Sequence, residues 1–292
     1  MRYYLENEHL HIGVNAIGAE LCHLQSKKSN IEYIWQADPD IWGNHAPILF
    51  PIVGGLKEDK YIFEGQEYHL PRHGFIRRND QLKLVEYNKT DLKLQLSSSP
   101  ITLNYYPFEF DFQISFRLLD KTLKITHKII NKDDKTMYFS LGGHPAFNCP
   151  LKENEKYDDY FLEFEHKEYL NTWNLDKNGM IKEEGDLVMN QTNKLNLHLD
   201  LFNNDAIIFK NLKSRQVSLS HKNRGPQLTV KFKDFPSLGI WAKPKAPFIC
   251  IESWLGYADS SDTNQIFAEK EAILSLEAGK AYTASYSIKI ED

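Results

Sequence analysis

Alternation of apolar and polar residues with a period of two is the feature that most constrains the fold of this 292-residue chain. It is clearest at 110–116, FDFQISF, and at 123–129, LKITHKI, and it returns near the end at 286–290, YSIKI. Successive side chains of a β-strand point to opposite faces, so each segment predicts a strand with one buried and one solvated face. Helical spacing of apolar residues is weak throughout, and the best candidate for a helical turn lies around 38–42.

Short strands separated by turns continue along the chain. Residues 82–84 and 92–96 alternate on either side of NKTD at 88–91, which predicts a β-hairpin, and further strands are predicted at 161–164 and 227–232. This pattern is typical of an all-β fold, and we expect a large antiparallel β-sandwich. No Gly/Ser-rich linker, fixed-period repeat or change of composition divides the chain, so residues 1–292 are predicted to form a single domain.

Charge and cysteine content narrow the classes of function. The net charge is −5 with no long run of one sign, whereas binding to a phosphate backbone needs a basic surface, so we expect no nucleic-acid partner. The longest apolar runs, such as 47–53, are far short of the ~20 residues that cross a bilayer, and the first residues lack the pattern of a secretory signal. Cys22, Cys149 and Cys250 form no CxxC pair and argue against a disulfide framework. We therefore expect a cytoplasmic protein without a membrane partner, either a monomer or a homodimer.

Three segments do not read as plain strands, and each carries a residue that can transfer a proton. They are LPRHGFIRR at 70–78, SLGGHPAFN at 140–148 and FICIESWLG at 248–256. Taken singly, each favours a structural role. His73 would then lie in a surface loop, and His144 in a turn where its ring bonds a nearby carbonyl. Glu252 would lie at a strand edge, paired with Lys243 or Lys245.

Taken together, the two histidines and the glutamate form an acid/base set. A carboxyl group beside Trp254 in an apolar strand is expected to have its pKa raised by desolvation, and an imidazole titrates near neutrality. Such a set suits a reaction in which one proton is removed and another is donated. The chain has no HExxH, GxGxxG or P-loop motif, so we expect neither a metal nor a cofactor.

Six segments spread over nearly the whole chain carry a family resemblance through their order and spacing. They are GAEL at 18–21, EYIW at 32–35, APILFPIVG at 46–54, LPRHGF at 70–75, GGHPAF at 142–147 and ESWLG at 252–256. In this set the sequence resembles the aldose 1-epimerase (galactose mutarotase-like) family, in particular its bacterial branch of LacX-type proteins. The resemblance implies the large β-sandwich of that family, the galactose mutarotase-like supersandwich.

The resemblance also implies a reaction and roles for four residues. The family interconverts the α and β anomers of a free aldohexose such as galactose or glucose, by opening and closing the sugar ring. Glu252 matches the general base that takes the proton from hydroxyl O1, and His144 matches the general acid that protonates ring oxygen O5. His73 matches a second histidine that binds the sugar, and Asp205 matches, on a looser motif, an aspartate that holds sugar hydroxyls.

One position departs from the family pattern. Related sequences commonly carry an arginine after the Pro-Ile-Val-Gly stretch, where this chain has Gly55. The resemblance therefore implies that a donor to the sugar is lost unless Lys57, Arg72 or Arg77 reaches into the site. The departure leaves open a different substrate, or a protein that binds sugar and barely catalyses its conversion.

The chain is rich in aromatic residues, with 15 Tyr, 17 Phe and 5 Trp. Aromatic rings pack on pleated sheets and also bind the faces of sugar rings. Most of them are predicted to be core. Trp254 and Phe75, which lie next to the acid/base residues in the sequence, are predicted to contact the sugar, and Trp42 is a looser candidate.

Three alternatives to a free-aldose epimerase remain open. The substrate could be a hexose 6-phosphate held by Arg72, Arg77 and Arg78, since arginine suits bidentate contacts to phosphate. The protein could also be a non-catalytic carbohydrate-binding protein of the same fold. A zinc hydrolase could use two histidines and a glutamate, although the helical histidine pair of many such sites is missing. The main prediction is a small monosaccharide as the partner.

Overall fold

The computed structural model describes residues 1–292, and β-strands dominate it. The strands are β1 (Arg2–Glu6), β2 (Leu10–Asn15), β3 (Glu20–Ser26), β4 (Ile48–Leu49), β5 (Lys60–Phe63), β6 (Gln66–His69), β7 (Lys83–Tyr87), β8 (Asp91–Ser97), β9 (Phe110–Leu119), β10 (Thr122–Asn131), β11 (Met137–Phe139), β12 (Leu141–Gly143), β13 (Ala146–Asn148), β14 (Tyr160–Leu175), β15 (Ile181–Asn196), β16 (Ile207–Phe209), β17 (Gln216–His221), β18 (Gly225–Lys231), β19 (Ser237–Trp241), β20 (Phe248–Leu255), β21 (Leu274–Leu276) and β22 (Ala281–Ile290). The α-helix α1 spans Pro100–Leu103, and single 3₁₀ turns lie at Ile17–Ala19, Lys57–Asp59, Ile76–Arg78, Tyr157–Asp159 and Phe267–Glu269. None of these helices is long and apolar enough to span a membrane.

The segments with the clearest alternation form the nine-stranded sheet. Its order is β15-β14-β17-β18-β22-β10-β9-β8-β7, and its pairings are antiparallel. Buried and less buried residues alternate along β9 and β10, as a sheet with one packed face requires. The predicted hairpin is β7–β8, and its turn is closed by Asn88, whose side chain accepts from the N–H groups of Thr90 and Asp91. The predictions at 161–164, 227–232 and 286–290 fall within, or within one residue of, β14, β18 and β22.

A six-stranded sheet faces the nine-stranded one. It has the order β16-β19-β20-β12-β4, and β13 also pairs with β20. Aromatic rings join the two layers, with ring centroids 5.0 Å apart for Phe50 and Phe112 and 6.1 Å apart for Phe164 and Phe209. Two antiparallel sheets packed through their inner faces form a β-sandwich, so the predicted fold class is confirmed.

The space between the sheets holds a continuous hydrophobic cluster of 72 buried residues, which runs from Tyr3 to Ile290. We therefore propose that residues 1–292 fold as one domain. A separate cluster of seven buried residues lies beside it and includes Ile208, Trp254 and Ala258. These three residues also line the cavity of the candidate site, so the small cluster supports its wall.

Candidate functional site

A cavity of about 390 Å³ brings together residues that are far apart in the sequence. Side chains or backbone from β19, β20, the tip of the β14–β15 hairpin and several loops form its wall. The lining residues are Trp42, Gly54, Arg72, His73, Arg77, His144, Leu175, Gly179, Asp205, Ala206, Ile208, Trp241, Glu252, Trp254 and Ala258. The mixture of aromatic walls and a few polar groups is typical of a site for a small molecule.

Glu252 lies in the middle of β20, opposite Gly239 of β19, and only 2% of its surface is exposed. The indole of Trp254 packs over Gly239, where a Cβ atom would lie 2.3 Å from the ring. From there the indole Nε1 donates a hydrogen bond of 3.2 Å to Oε2 of Glu252. His144 Nε2 lies 3.3 Å from the same oxygen. The buried carboxyl group is thus held by an imidazole and an indole. It forms no ion pair with Lys243, the partner considered from the sequence, because Lys243 donates to a backbone carbonyl instead.

His144 follows β12 and is fixed by its backbone and by stacking. Its N–H donates to the carbonyl of Pro47, and its ring stacks on Trp42 with 5.1 Å between centroids and 25° between planes. Trp241 meets the same ring edge to face, with 5.9 Å between centroids, and also contacts Trp42. Nδ1 is buried and makes no hydrogen bond to another residue, in contrast to the bond to a nearby carbonyl that a purely structural turn would predict.

His73 is held by a reciprocal pair of hydrogen bonds with Gly54. The N–H of His73 donates to the Gly54 carbonyl at 2.8 Å, and the N–H of Gly54 donates to Nδ1 of His73 at 3.1 Å. Since Nδ1 accepts, it carries no proton, and the neutral ring has its proton on Nε2. Burial, followed by the charges of His144 and two arginines, lowers the pKa of His73 well below its usual value. His73 is therefore a neutral hydrogen-bond donor at the cavity wall.

Burial moves the pKa values of Glu252 and His144 in opposite directions. It raises the pKa of Glu252 to about 8, an effect that the Trp254 hydrogen bond and Arg72 partly oppose and that Asp205 increases. It lowers the pKa of His144 to about 3, and Arg77 and Arg72 act in the same direction. The expectation that this imidazole titrates near neutrality is therefore wrong for the free protein, because the ring is buried. Between these two values the pair holds one proton.

Two arginines and one aspartate complete the polar wall. Arg72 and Arg77 line the cavity and form no ion pair with a carboxylate, and Nε of Arg77 is buried without a partner. Arg72 lies so close to Gly179 that a Cβ atom there would be 2.5 Å from its Nη2. Asp205 also lines the cavity, and its Oδ1 accepts from the next backbone N–H. Unpaired cations at the wall can bind polar or anionic groups of a ligand.

Two residues proposed from the sequence as sugar contacts lie outside the cavity. The ring of Phe75 packs against Tyr105, Tyr106 and Phe110, because the turn at Gly74 directs it into the aromatic core. Lys57 is absent from the lining, and its backbone N–H is bound by Asp259. The assignment of Phe75 and Lys57 to the site is therefore corrected.

Gly55, the departure from the family pattern, also lies outside the lining. A Cβ atom at Gly55 would lie 2.8 Å from Cε of Met180, so this methionine occupies the space that a side chain would enter. Of the three cations considered as replacements for the missing arginine, Arg72 and Arg77 reach the cavity wall.

Sequence reasoning missed Trp241 and the hairpin tip that contributes Leu175 and Gly179 to the wall. The turn sequence DKNG at 176–179 signals a hairpin, but no local pattern shows that the hairpin tip covers a site formed by the other sheet. Trp42, a looser candidate, is brought to the wall by its stack on His144.

Donor atoms of His144, Cys250 and Glu252 lie within 4.8 Å of one another, a set that could surround a divalent ion. Burial, however, raises the pKa of the Cys250 thiol well above its usual value. Metal binding requires the thiolate, so this environment disfavours the ligand form of the cysteine. The geometry is better suited to proton transfer between Glu252 and His144.

The comparison with protein families decides the assignment. A family model described as aldose 1-epimerase matches residues 1–289. The chain belongs to the aldose 1-epimerase family. The resemblance drawn from the six segments is thereby confirmed. Among curated proteins, the chain is 35% identical to the plasmid-encoded protein LacX of Lactococcus lactis subsp. lactis, over 99% of both chains.

Solved structures with the same fold include two from lactobacilli. The galactose mutarotase related enzyme from Lactobacillus acidophilus is 33% identical, with a TM-score of 0.93 over 100% of this chain and 98% of that one. The galactose mutarotase-like protein from Lactobacillus casei ATCC 334 is 29% identical, with a TM-score of 0.93 over 100% of both chains. The chain therefore has the fold of galactose mutarotase-like proteins.

Proposed function

We propose that the protein is an aldose 1-epimerase, a cofactor-independent isomerase that interconverts the α and β anomers of a free aldohexose such as galactose or glucose. Family membership supports a carbohydrate isomerase, and the cavity supports a small monosaccharide as its substrate. The unpaired, buried cysteines fit the cytoplasmic location that we also propose.

The contact of 3.3 Å between His144 Nε2 and Glu252 Oε2 is the observation that carries this proposal. Ring opening removes a proton from O1 and adds one to O5, and both oxygens are bonded to the same carbon. An acid and a base that lie close together in one cavity can therefore reach both oxygens of a single sugar. The pair also holds one proton near neutral pH, so that one group can donate while the other accepts.

With these pKa values the single proton of the pair lies on Glu252 in the free protein, so in the proposed reaction this proton first passes to His144 across the 3.3 Å contact. Ionised Glu252 then takes the proton of hydroxyl O1 while protonated His144 gives its proton to ring oxygen O5. The C1–O5 bond breaks, the C1–C2 bond rotates, and the ring closes on the other face of the aldehyde. The two residues exchange roles in the closing step. General acid and general base catalysis are each worth about 10²–10⁴-fold, which suits a reaction that already proceeds in water.

The other lining residues would bind and orient the sugar. The Nε2–H of His73 is free to donate to a sugar oxygen because Gly54 occupies Nδ1. Arg72 and Asp205 supply a donor and an acceptor for hydroxyl groups, and Trp42 and Trp241 form apolar walls against which a sugar face can pack.

Polarimetry of freshly dissolved α-galactose and α-glucose tests the proposal. We expect the protein to shorten the approach to anomeric equilibrium relative to buffer alone. Rates equal to buffer for every sugar, together with saturable binding, would instead assign the protein to the non-catalytic carbohydrate-binding class.

A hexose 6-phosphate is a second candidate substrate, favoured by one observation. Arg72 and Arg77 both line the cavity, neither is neutralised by a carboxylate, and Arg77 Nε has no partner. Arginine binds phosphate in a bidentate manner, so this pair could hold a phosphate at C6. Arg78, the third member of the predicted cluster, is outside the lining. A kcat/KM that is higher for glucose 6-phosphate than for glucose, and that falls selectively in Arg77→Gln, would favour this candidate over the free sugar.

A further inference from the structure

Asp259 and Lys270 form a buried ion pair outside the cavity. Lys270 Nζ lies 2.8 Å from Asp259 Oδ1, and the two side chains are 3% and 4% exposed. A buried ion pair often adds little to stability over apolar residues of similar size, because both charges lose their hydration. The contacts of Asp259 indicate another role.

Asp259 makes hydrogen bonds to two separate segments of the chain, residues 55–57 and the start of β15. Its N–H donates to the Gly55 carbonyl at 2.9 Å, and its Oδ2 accepts from the N–H of Lys57 at 2.9 Å. Its carbonyl accepts from the N–H of Ile181 at the start of β15, at 2.8 Å. We call Asp259, Lys270 and the bound backbone of 55–57 the Asp259 clasp.

The clasp continues to His73 through Gly54. Gly54 has a φ of 73° and packs so closely on Ala258 that a Cβ atom would lie 2.6 Å from the alanine Cβ. The same glycine gives its N–H to Nδ1 of His73 and takes the N–H of His73 on its carbonyl. The position of the Gly54 peptide therefore determines where the His73 ring lies and which nitrogen carries its proton.

We propose that Asp259 and Lys270 are positioning residues, which hold the 54–57 backbone through the bond from Lys57 N–H to Asp259 and thereby fix the orientation and tautomer of His73. The consequence for catalysis rests on the proposed function, whereas the effect on the His73 ring does not. The Lys270 ammonium lies beside Oδ1 of Asp259, which leaves Oδ2 to accept from the Lys57 N–H.

Two double variants separate the hydrogen bond from the charges. Asp259→Leu with Lys270→Met removes both charges and the acceptor, and apolar replacement of a buried pair is often tolerated. Asp259→Asn with Lys270→Met removes the charges but keeps a carbonyl acceptor for the Lys57 N–H. Should the leucine variant fail to fold, Asp259→Ala with Lys270→Met removes the same acceptor with a smaller side chain.

Side-chain ¹⁵N NMR of His73 is the direct measurement, and kinetics is the second. We expect the wild type and the asparagine variant to show one tautomer, with Nδ1 unprotonated. The variants without the acceptor should show a mixture of tautomers, and KM for the sugar should rise about tenfold or more, since small misplacements of a binding group are costly. Glu168→Gln is the control, because Glu168 is a buried carboxylate bound to Ser214 outside the cavity. It should leave the His73 signals unchanged.

A folded variant without the acceptor that keeps the wild-type His73 signals and KM would overturn the proposal. Loss of the single tautomer in the asparagine variant would also overturn it, because the acceptor is then not the positioning contact. If the wild type has no epimerase activity, the proposed function fails, while the His73 spectra still decide whether the clasp positions the ring.

Discussion

Replacement of Trp254 by phenylalanine removes the indole N–H that binds Oε2 of Glu252 at 3.2 Å. A hydrogen bond to a charged group is worth about 1.5–3 kcal/mol, and we use the lower value, about 1.5 kcal/mol, because this bond is long. One pKa unit corresponds to about 1.36 kcal/mol, so the pKa of Glu252 should rise by about one unit. The ionised form of the carboxyl group should become about tenfold rarer within the one-proton pair.

Two effects on the pH dependence of kcat/KM follow. In the wild type, kcat/KM should fall above about pH 8, because Glu252 then loses the last proton of the pair and no acid remains. It should also fall below about pH 3, because the pair then binds a second proton and no base remains. In Trp254→Phe the alkaline limb should move upward by about one pH unit, and the plateau should drop about tenfold. Polarimetric initial rates on both sides of the alkaline limb, with the buffer rate subtracted, measure both effects.

Trp241→Phe is the matched control, because Trp241 lines the same cavity but makes no hydrogen bond to Glu252. Its alkaline limb should stay at the wild-type pH. An unmoved limb in Trp254→Phe, or an equal shift in both variants, would refute the assignment of this limb to a Glu252 carboxyl group held by Trp254.

Three other perturbations have defined outcomes. His144→Asn should lower kcat by about 10²-fold or more and leave KM nearly unchanged, because the lost proton transfer occurs in the transition state; a wild-type kcat would remove His144 from the acid role. Gly55→Arg should lower the melting temperature without lowering KM for galactose, since its side chain enters the space of Met180, and adding Met180→Ala should restore stability. The pKa of Glu252 is 4.5 in the unfolded chain and about 8 in the folded protein, so the carboxyl group of the unfolded chain loses its proton at a lower pH. The free energy of unfolding of the wild type should therefore fall as the pH rises between these two values. Thermal unfolding at both ends of that range should show a smaller fall for Glu252→Gln, and equal falls would contradict the buried, raised pKa.

The strands were predictable because their signal is local. In β9 and β10 each buried residue is two positions from the next, so the period identifies both the strand and its inner face. The pairing of β14 with β17, or of β22 with both β10 and β18, was not predictable, since it depends on contacts between segments distant in the sequence. The alternation within one strand carries no information about which other strand pairs with it.

The candidate site was predictable where the residue type itself is informative. Glu252 in an apolar strand and His144 after two glycines stand out by chemistry, and the structure places them in contact. Phe75 was misassigned because adjacency to His73 says nothing about direction, and its ring turns into the core. The lowered pKa of His144 could not be foreseen either, because it depends on burial by walls such as Trp42 from another part of the chain.

The rate of α-to-β exchange of galactose, followed by anomer-resolved NMR in the wild type and in Glu252→Gln, measures whether the Glu252 carboxylate is the base of an aldose 1-epimerase. The substitution keeps the size of the side chain and an acceptor for Trp254, and removes only the base. We predict exchange well above the buffer rate in the wild type, and a loss of about 10²-fold or more in a variant that remains folded. Exchange at the wild-type rate in Glu252→Gln would show that this carboxylate is not the base.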